Sequence, residues 1–86
     1  MPALHLLANP EAARTCLLAA SDGDAVLLIG DGVFARRIAG RSGIRFGVLK
    51  DDAASRGLEP MAGLEVLTYD GFVEWVANFA KTVTWR

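Results

Sequence analysis

Four groups of residues have types that can do chemistry: the single cysteine Cys16, the single histidine His5, the adjacent acids Asp51 and Asp52, and the run Gly30-Asp31-Gly32-Val33-Phe34-Ala35. Cys16 alone can carry sulfur or form a covalent adduct. A sulfur-transferring cysteine must reach the thiolate state, which a helix N-terminus or a nearby cation promotes and apolar burial opposes. The spacing puts Cys16 in mid-helix, about 40° from the centre of a buried face made by Ala13, Leu17 and Ala20 at about 100° per residue. A small buried hydrophobe explains it without chemistry. His5 has no second histidine or partner serine, so a hydrogen-bonded structural histidine is the simpler reading. One Cys with one His cannot close a metal site or an internal disulfide, and no cofactor or metal is expected.

The glycine run satisfies the G-x-G-x-x-G/A pattern of a dinucleotide turn, with Asp51 and Asp52 about twenty residues later where a ribose-binding acid would sit. Against that reading, 86 residues cannot supply a second mononucleotide half. Asp31 also puts a carboxylate where a pyrophosphate would approach. The alternative is a tight strand-to-helix turn needing glycine geometry. Asp51 and Asp52 read equally well as a helix cap and its exposed neighbour.

Positioning these residues requires an alternation of strands and helices. Ala3 to Leu7 is a short apolar run. Asn9, Pro10 and Glu11 then open a helix to about Ala20, and Ala25 to Ile29 is a continuous aliphatic strand of the kind covered on both faces. A short helix is expected over Val33 to Ala39, a strand over Arg45 to Leu49, and a brief helix over Ala53 to Arg56 closed by Gly57. A fourth strand over Leu64 to Thr68 and a last helix from Gly71 to about Lys81, capped by Asp70, complete the chain. Strands alternating with helices imply right-handed crossovers. The fold class is therefore α/β, a three-layer α/β/α sandwich with a mainly parallel four- to five-stranded sheet, as one domain over residues 1–86.

Net charge is −1, with nine basic and ten acidic residues, which excludes a general electrostatic attraction to nucleic acid. The charges are segregated. Gly32 to Lys50 holds Arg36, Arg37, Arg41, Arg45 and Lys50 with no acid, and Asp51 to Glu74 holds six acids and one arginine. Arg36, Arg37, Arg41 and Arg45 are candidates for charge-complementary docking. No cationic leader precedes an apolar segment and no run approaches the ~18 residues that span a bilayer, so a soluble, cytoplasmic protein is expected.

The last helix carries too much apolar surface for one core. Phe72, Val73, Trp75, Val76, Ala77, Phe79 and Ala80 cover an arc of about 200°, where one core needs a stripe nearer 100°. A chain this short buries only roughly 60–65% of its unfolded surface, and 14 of its residues are alanine, so a thin core and a partner are expected. Leu18, Phe72, Trp75, Phe79 and Trp85 are the candidate interface residues.

Several stretches together resemble the TusB/DsrH family of small sulfur-relay subunits. They are Leu4-His5, then Gly23-Asp24-Ala25-Val26-Leu27-Leu28 running into Asp31-Gly32-Val33 and Ala35, and Val48-Leu49 followed by Asp52. Ser55-Arg56-Gly57-Leu58, Tyr69, Phe72-Val73 and Trp85 follow. The resemblance implies a DsrE-like sandwich. It implies a third, smallest subunit in a heterohexamer with TusC/DsrF-like and TusD/DsrE-like partners, contacting a sulfur-carrier protein through the complex. In the Tus branch such complexes pass persulfide sulfur toward 2-thiolation of the tRNA wobble uridine; in the Dsr branch they serve dissimilatory sulfur oxidation. The principal sulfur-accepting cysteine of the family lies on the TusD or DsrE subunit, so this chain resembles the non-catalytic partner, with direct tRNA contact unexpected and a homodimer conceivable in isolation. Thr15-Cys16-Leu17 is similar to a cysteine position of DsrH proteins, which makes Cys16 a candidate persulfide carrier. Arg86 after the terminal Trp and a short segment around Arg41 depart from the family pattern.

Overall fold

The computed structural model describes residues 1–59 and 61–86. Five parallel strands, β1 (Ala3–Leu7), β2 (Ala25–Leu28), β3 (Arg45–Leu49), β4 (Glu65–Leu67) and β5 (Lys81–Trp85), form one sheet in the order β4-β3-β2-β1-β5. A 3-10 turn, Pro10–Ala12, leads into helix α1 (Ala13–Ala19); a 3-10 segment, Gly30–Ile38, follows β2; α2 (Lys50–Ser55) follows β3; and α3 (Tyr69–Asn78) joins β4 to β5. The topology follows from chain direction. The first three connections each step one strand the same way and lay their helices on one face, whereas the return from β4 to the far side of β1 reverses direction. A right-handed crossover must then place α3 on the opposite face. The three-layer sandwich results, with one outer layer built from a single helix.

The two faces have separate cores. Leu7, Cys16, Val26, Leu28, Val33, Phe46 and Val48 pack under α1, the 3-10 segment and α2. Leu4, Ala25, Leu27 and Trp75 pack under α3, with Leu6, Phe72 and Phe79 at their margin. Every residue of β2 is buried, as its unbroken aliphatic run requires of a strand sandwiched between layers. Gly47 on β3 leaves room for the Trp75 indole, since a Cβ there would lie 2.9 Å from its ring.

Local chemistry matches the expected elements in part. Asn9 accepts from the Glu11 amide at 3.0 Å with Pro10 in the first turn, and Gly57, at φ +66°, ends α2 in the left-handed region. Three expectations are corrected. The segment after Gly30 is not a regular helix but two 3-10 turns meeting at Ala35, whose φ of −89° and ψ of 18° break the run. Thr68, rather than Asp70, caps α3 by accepting from the Gly71 amide at 3.4 Å. The last helix stops at Asn78, and Lys81–Trp85 forms a fifth strand paired along its length with β1. Its Thr-Val-Thr alternation is a strand signal, because β-branched side chains suit a pleated surface.

Candidate functional site

A buried polar cluster joins three distant segments. Asp24, just before β2, accepts from the Ala3 amide at 2.9 Å, the Ser21 amide at 3.0 Å and His5 Nε2 at 2.9 Å. On the other side of the imidazole, Trp85 Nε1 donates to His5 Nδ1 at 3.0 Å, and the two rings stack with centroids 6.1 Å apart. An indole N–H only donates, so Nδ1 must accept and the imidazole proton sits on Nε2, facing the carboxylate. Burial pushes the Asp24 carboxyl up, but the hydrogen bonds from Ser21, Ala3 and His5 outweigh it and hold the group below its ordinary value.

This trio lines an open cleft of about 580 Å³ that also includes Met1, Asp22 and Lys81. The cleft lies at the amino ends of β1 and β2, whereas open α/β sheets bind ligands beyond the carboxyl ends of their strands. All three side chains already have internal partners, so the cluster has no free nucleophile or general base. Its chemistry is that of a clamp, tying β5 and the turn before β2 to the start of β1. The sequence does not link Asp24 and Trp85 to His5, because Ser21-Asp22-Gly23-Asp24 reads as an ordinary turn.

Cys16 is fully buried in the core beneath α1, and burial pushes its thiol up to about 11. At neutral pH this keeps the group as the thiol, whereas sulfur exchange requires the thiolate. Among the described residues, no group of three or more metal-ligating side chains converges.

The glycine run serves packing. The Gly30 amide donates to Asp52 Oδ2 at 2.7 Å, so this donor of the turn is already engaged within the chain. A Cβ on Gly32 would collide with the Leu7 carbonyl oxygen, so glycine is required where the turn crosses the end of β1. Asp52 is therefore the acceptor that braces this turn, and α2 begins at Lys50, with Leu49 as an N-cap that makes no side-chain hydrogen bond.

The four arginines have different surroundings. Arg41 donates to the carbonyls of Leu17 and, at 3.1 Å, of Ala20, closing the C-terminus of α1. Arg45 pairs with Glu65, donating to Oε1 at 2.8 Å, and lies 4.6 Å from the Trp75 ring centroid on the α3 side of the sheet. Arg36 Nη1 is buried with no hydrogen-bond partner among the described residues, and Arg37 is exposed.

The candidate interface residues also divide. Leu18 is 81% exposed on α1, but Trp75 is only 5% exposed, and Phe72 and Phe79 lean on the same core. Trp85 is half-buried against His5. The apolar surface that α3 does present comes from Tyr69 (66% exposed), Val73 (48%) and Val76 (37%). The helix thus turns Phe72 and Trp75 toward the sheet and leaves Val73 and Val76 in solvent. Phe34, on the 3-10 segment, is a further exposed aromatic.

A family model described as DsrH like protein matches residues 8–82. The chain belongs to the DsrH-like family. No curated protein matches it. A DsrH-like chain is a sulfur-relay subunit that works with partner subunits, and its five-stranded parallel sheet agrees with the sandwich that the resemblance implied. No helix among the described residues of this DsrH-like chain is long and apolar enough to cross a membrane.

Proposed function

We propose that this chain is the non-catalytic third subunit of a cytoplasmic heterohexamer of TusBCD type, which supports persulfide transfer toward 2-thiolation of the tRNA wobble uridine. The observation that carries the reading is a contrast. The only thiol is fully buried and held protonated, while Leu18, Phe34, Tyr69 and Val73 stand in solvent. A chain built this way contributes surface rather than sulfur chemistry. In the assembly a TusD/DsrE-like thiolate attacks the sulfane sulfur of a carrier persulfide, a new S–S bond forms, and the carrier cysteine leaves as thiolate. The present subunit buries and shapes its partners, the TusC/DsrF-like chain among them. With net charge −1, contact with tRNA falls to other chains.

The test is co-expression with TusC-like and TusD-like chains, followed by native mass spectrometry and assay of tRNA 2-thiouridine. A hexamer with two copies of each chain, whose thiolation survives Cys16→Ser, supports the proposal. A chain that stays alone beside both partners overturns it.

The second reading is a DsrH-like role in dissimilatory sulfur oxidation with persulfide on Cys16, favoured by the placement of Thr15-Cys16-Leu17 on the helix after β1. It requires α1 to move away from the sheet before Cys16 can exchange. Persulfide mass on Cys16 in the native complex is its signature.

A further inference from the structure

Tyr69, Val73 and Val76 form a second stripe on α3, separate from the one that faces the sheet. Taking Trp75 as the origin, Val76, Tyr69 and Val73 fall at about 100°, 120° and 160° around the helix, and Asp70 and Glu74 follow at about 220° and 260°. The result is an exposed apolar strip with a row of carboxylates along the border away from the sheet. Neither Asp70 nor Glu74 has an ion-pair partner among the described residues; the nearby acid Glu65 is already taken by Arg45.

The charges decide what can cover this strip. A two-fold antiparallel pairing of α3 with α3 of a second copy would match the apolar stripes but line up Asp70 and Glu74 of both copies on the same rim. Four carboxylates on one border of a dry interface repel, and desolvating them adds to the cost. An occupant whose apolar face is bordered by lysine or arginine meets the same rim with opposite charge. We infer that the Tyr69-Val73-Val76 strip is the surface on which this chain receives a sister subunit bearing a cationic border, with Asp70 and Glu74 setting the orientation of docking. The inference rests on the proposed role as a relay subunit and names the surface and charge pattern by which that role is carried out.

The experiment uses the full chain and the co-expressed TusC-like and TusD-like pair, with affinity measured by calorimetry at 50 and 300 mM NaCl. Val73→Asp and the double variant Asp70→Lys/Glu74→Lys are each expected to weaken binding at least tenfold. The double variant is also expected to lose the salt-induced weakening of the wild-type chain. All three positions in the double and single variants are exposed, and circular dichroism checks that the fold is kept; if Val73→Asp unfolds, the charge pair alone decides. Wild-type-like affinity in the charge variant, with the complex intact, overturns this surface and leaves the proposed function standing. Absence of any wild-type complex overturns both. Self-association of the free chain that is abolished by the same substitutions also overturns the inference, because the occupant would then be a second copy.

Discussion

Trp85 and His5 stand 80 positions apart in the chain and are joined by a hydrogen bond of 3.0 Å from the indole N–H to the imidazole Nδ1. The bond holds the last strand against the first, and it selects the imidazole tautomer that faces Asp24. Edge strands are the least supported part of a sheet, because only one side has a hydrogen-bonded neighbour. Here the edge strand β5 has an added side-chain tie to the buried interior.

Replacing Trp85 by Phe keeps most of the aromatic contact and removes only the donor. His5 Nδ1 is then left without a partner in a buried site, which costs about 1–3 kcal/mol. For a domain of this size each kcal/mol lowers Tm by roughly 4–8 °C. Thermal unfolding of Trp85→Phe checks the loss. Imidazole nitrogen shifts check the cause, since the wild-type ring should show its proton on Nε2 alone. An unchanged Tm and tautomer would remove the clamp from the account.

Asp24 makes this clamp sensitive to acid. Its folded carboxyl titrates below the unfolded value of 3.8, so its contribution to stability is full above that value and is lost as pH falls toward the folded pKa. Asp24→Asn removes the charge and turns an amide N–H2 toward groups that donate, so about 3 kcal/mol of stability should disappear at neutral pH. Urea unfolding from pH 7 to pH 2 should show the wild-type curve dropping below about pH 4 and the Asn variant lower but flatter. A small residual slope remains for Glu65, whose carboxyl is held down by Arg45 on the surface.

Much of this architecture was legible from the sequence, and the omissions have physical reasons. β2 could be read because a buried parallel strand must be apolar at each position, as Ala25 to Leu28 are. β5 could not be read as easily, because the apolar pattern of Trp75, Val76 and Phe79 runs into it without a glycine or proline to mark the boundary. The clamp was hidden for another reason. Asp24 and Ser21 look like turn residues, and only the sheet brings His5, Asp24 and Trp85 together. Arg41 and Arg45 sat in a cationic run along the chain but lie on opposite faces of the sheet, one closing α1 and the other beside Trp75. A run of charges in the chain is separated in space when one member lies in a loop against the end of α1 and another lies on β3 beside α3.

Cys16 titrates in the opposite sense from Asp24. Burial raises its thiol from 9.0 to about 11, so its contribution is full below pH 9 and is lost as pH rises from 9 toward 11, where the unfolded thiol ionises first. Alkylation by iodoacetamide at neutral pH should be slow in the folded chain and should accelerate with denaturant in step with loss of circular dichroism. Cys16→Ala should lower stability by about 1 kcal/mol and remove the thiol contribution to the alkaline decline. Rapid labelling of the folded chain would instead show that α1 opens readily, which is the behaviour a persulfide carrier at this position requires.

Gly32 offers the sharpest separation between a packing turn and a ligand loop. A methyl group there would overlap the carbonyl oxygen and carbon of Leu7, which are main-chain atoms at the end of β1 and have no rotamer by which to move aside. The same carbonyl accepts from the Ile29 amide at 3.0 Å, so displacing it also breaks the junction of β1 with the end of β2. Gly32→Ala should cost about 3 kcal/mol or more, enough to leave a marginal small domain largely unfolded at 37 °C. Gly30 has open space around its Cβ position but a φ of +51°, so Gly30→Ala should be tolerated better, at about 1 kcal/mol of backbone strain. Melting curves of the two variants test this ranking. Millimolar nucleotide should leave the wild-type Tm unchanged, because the Gly30 amide already donates to Asp52. A nucleotide-dependent rise in Tm, abolished by Gly30→Ala, would show instead that Asp52 gives way to phosphate and that the turn is a binding loop.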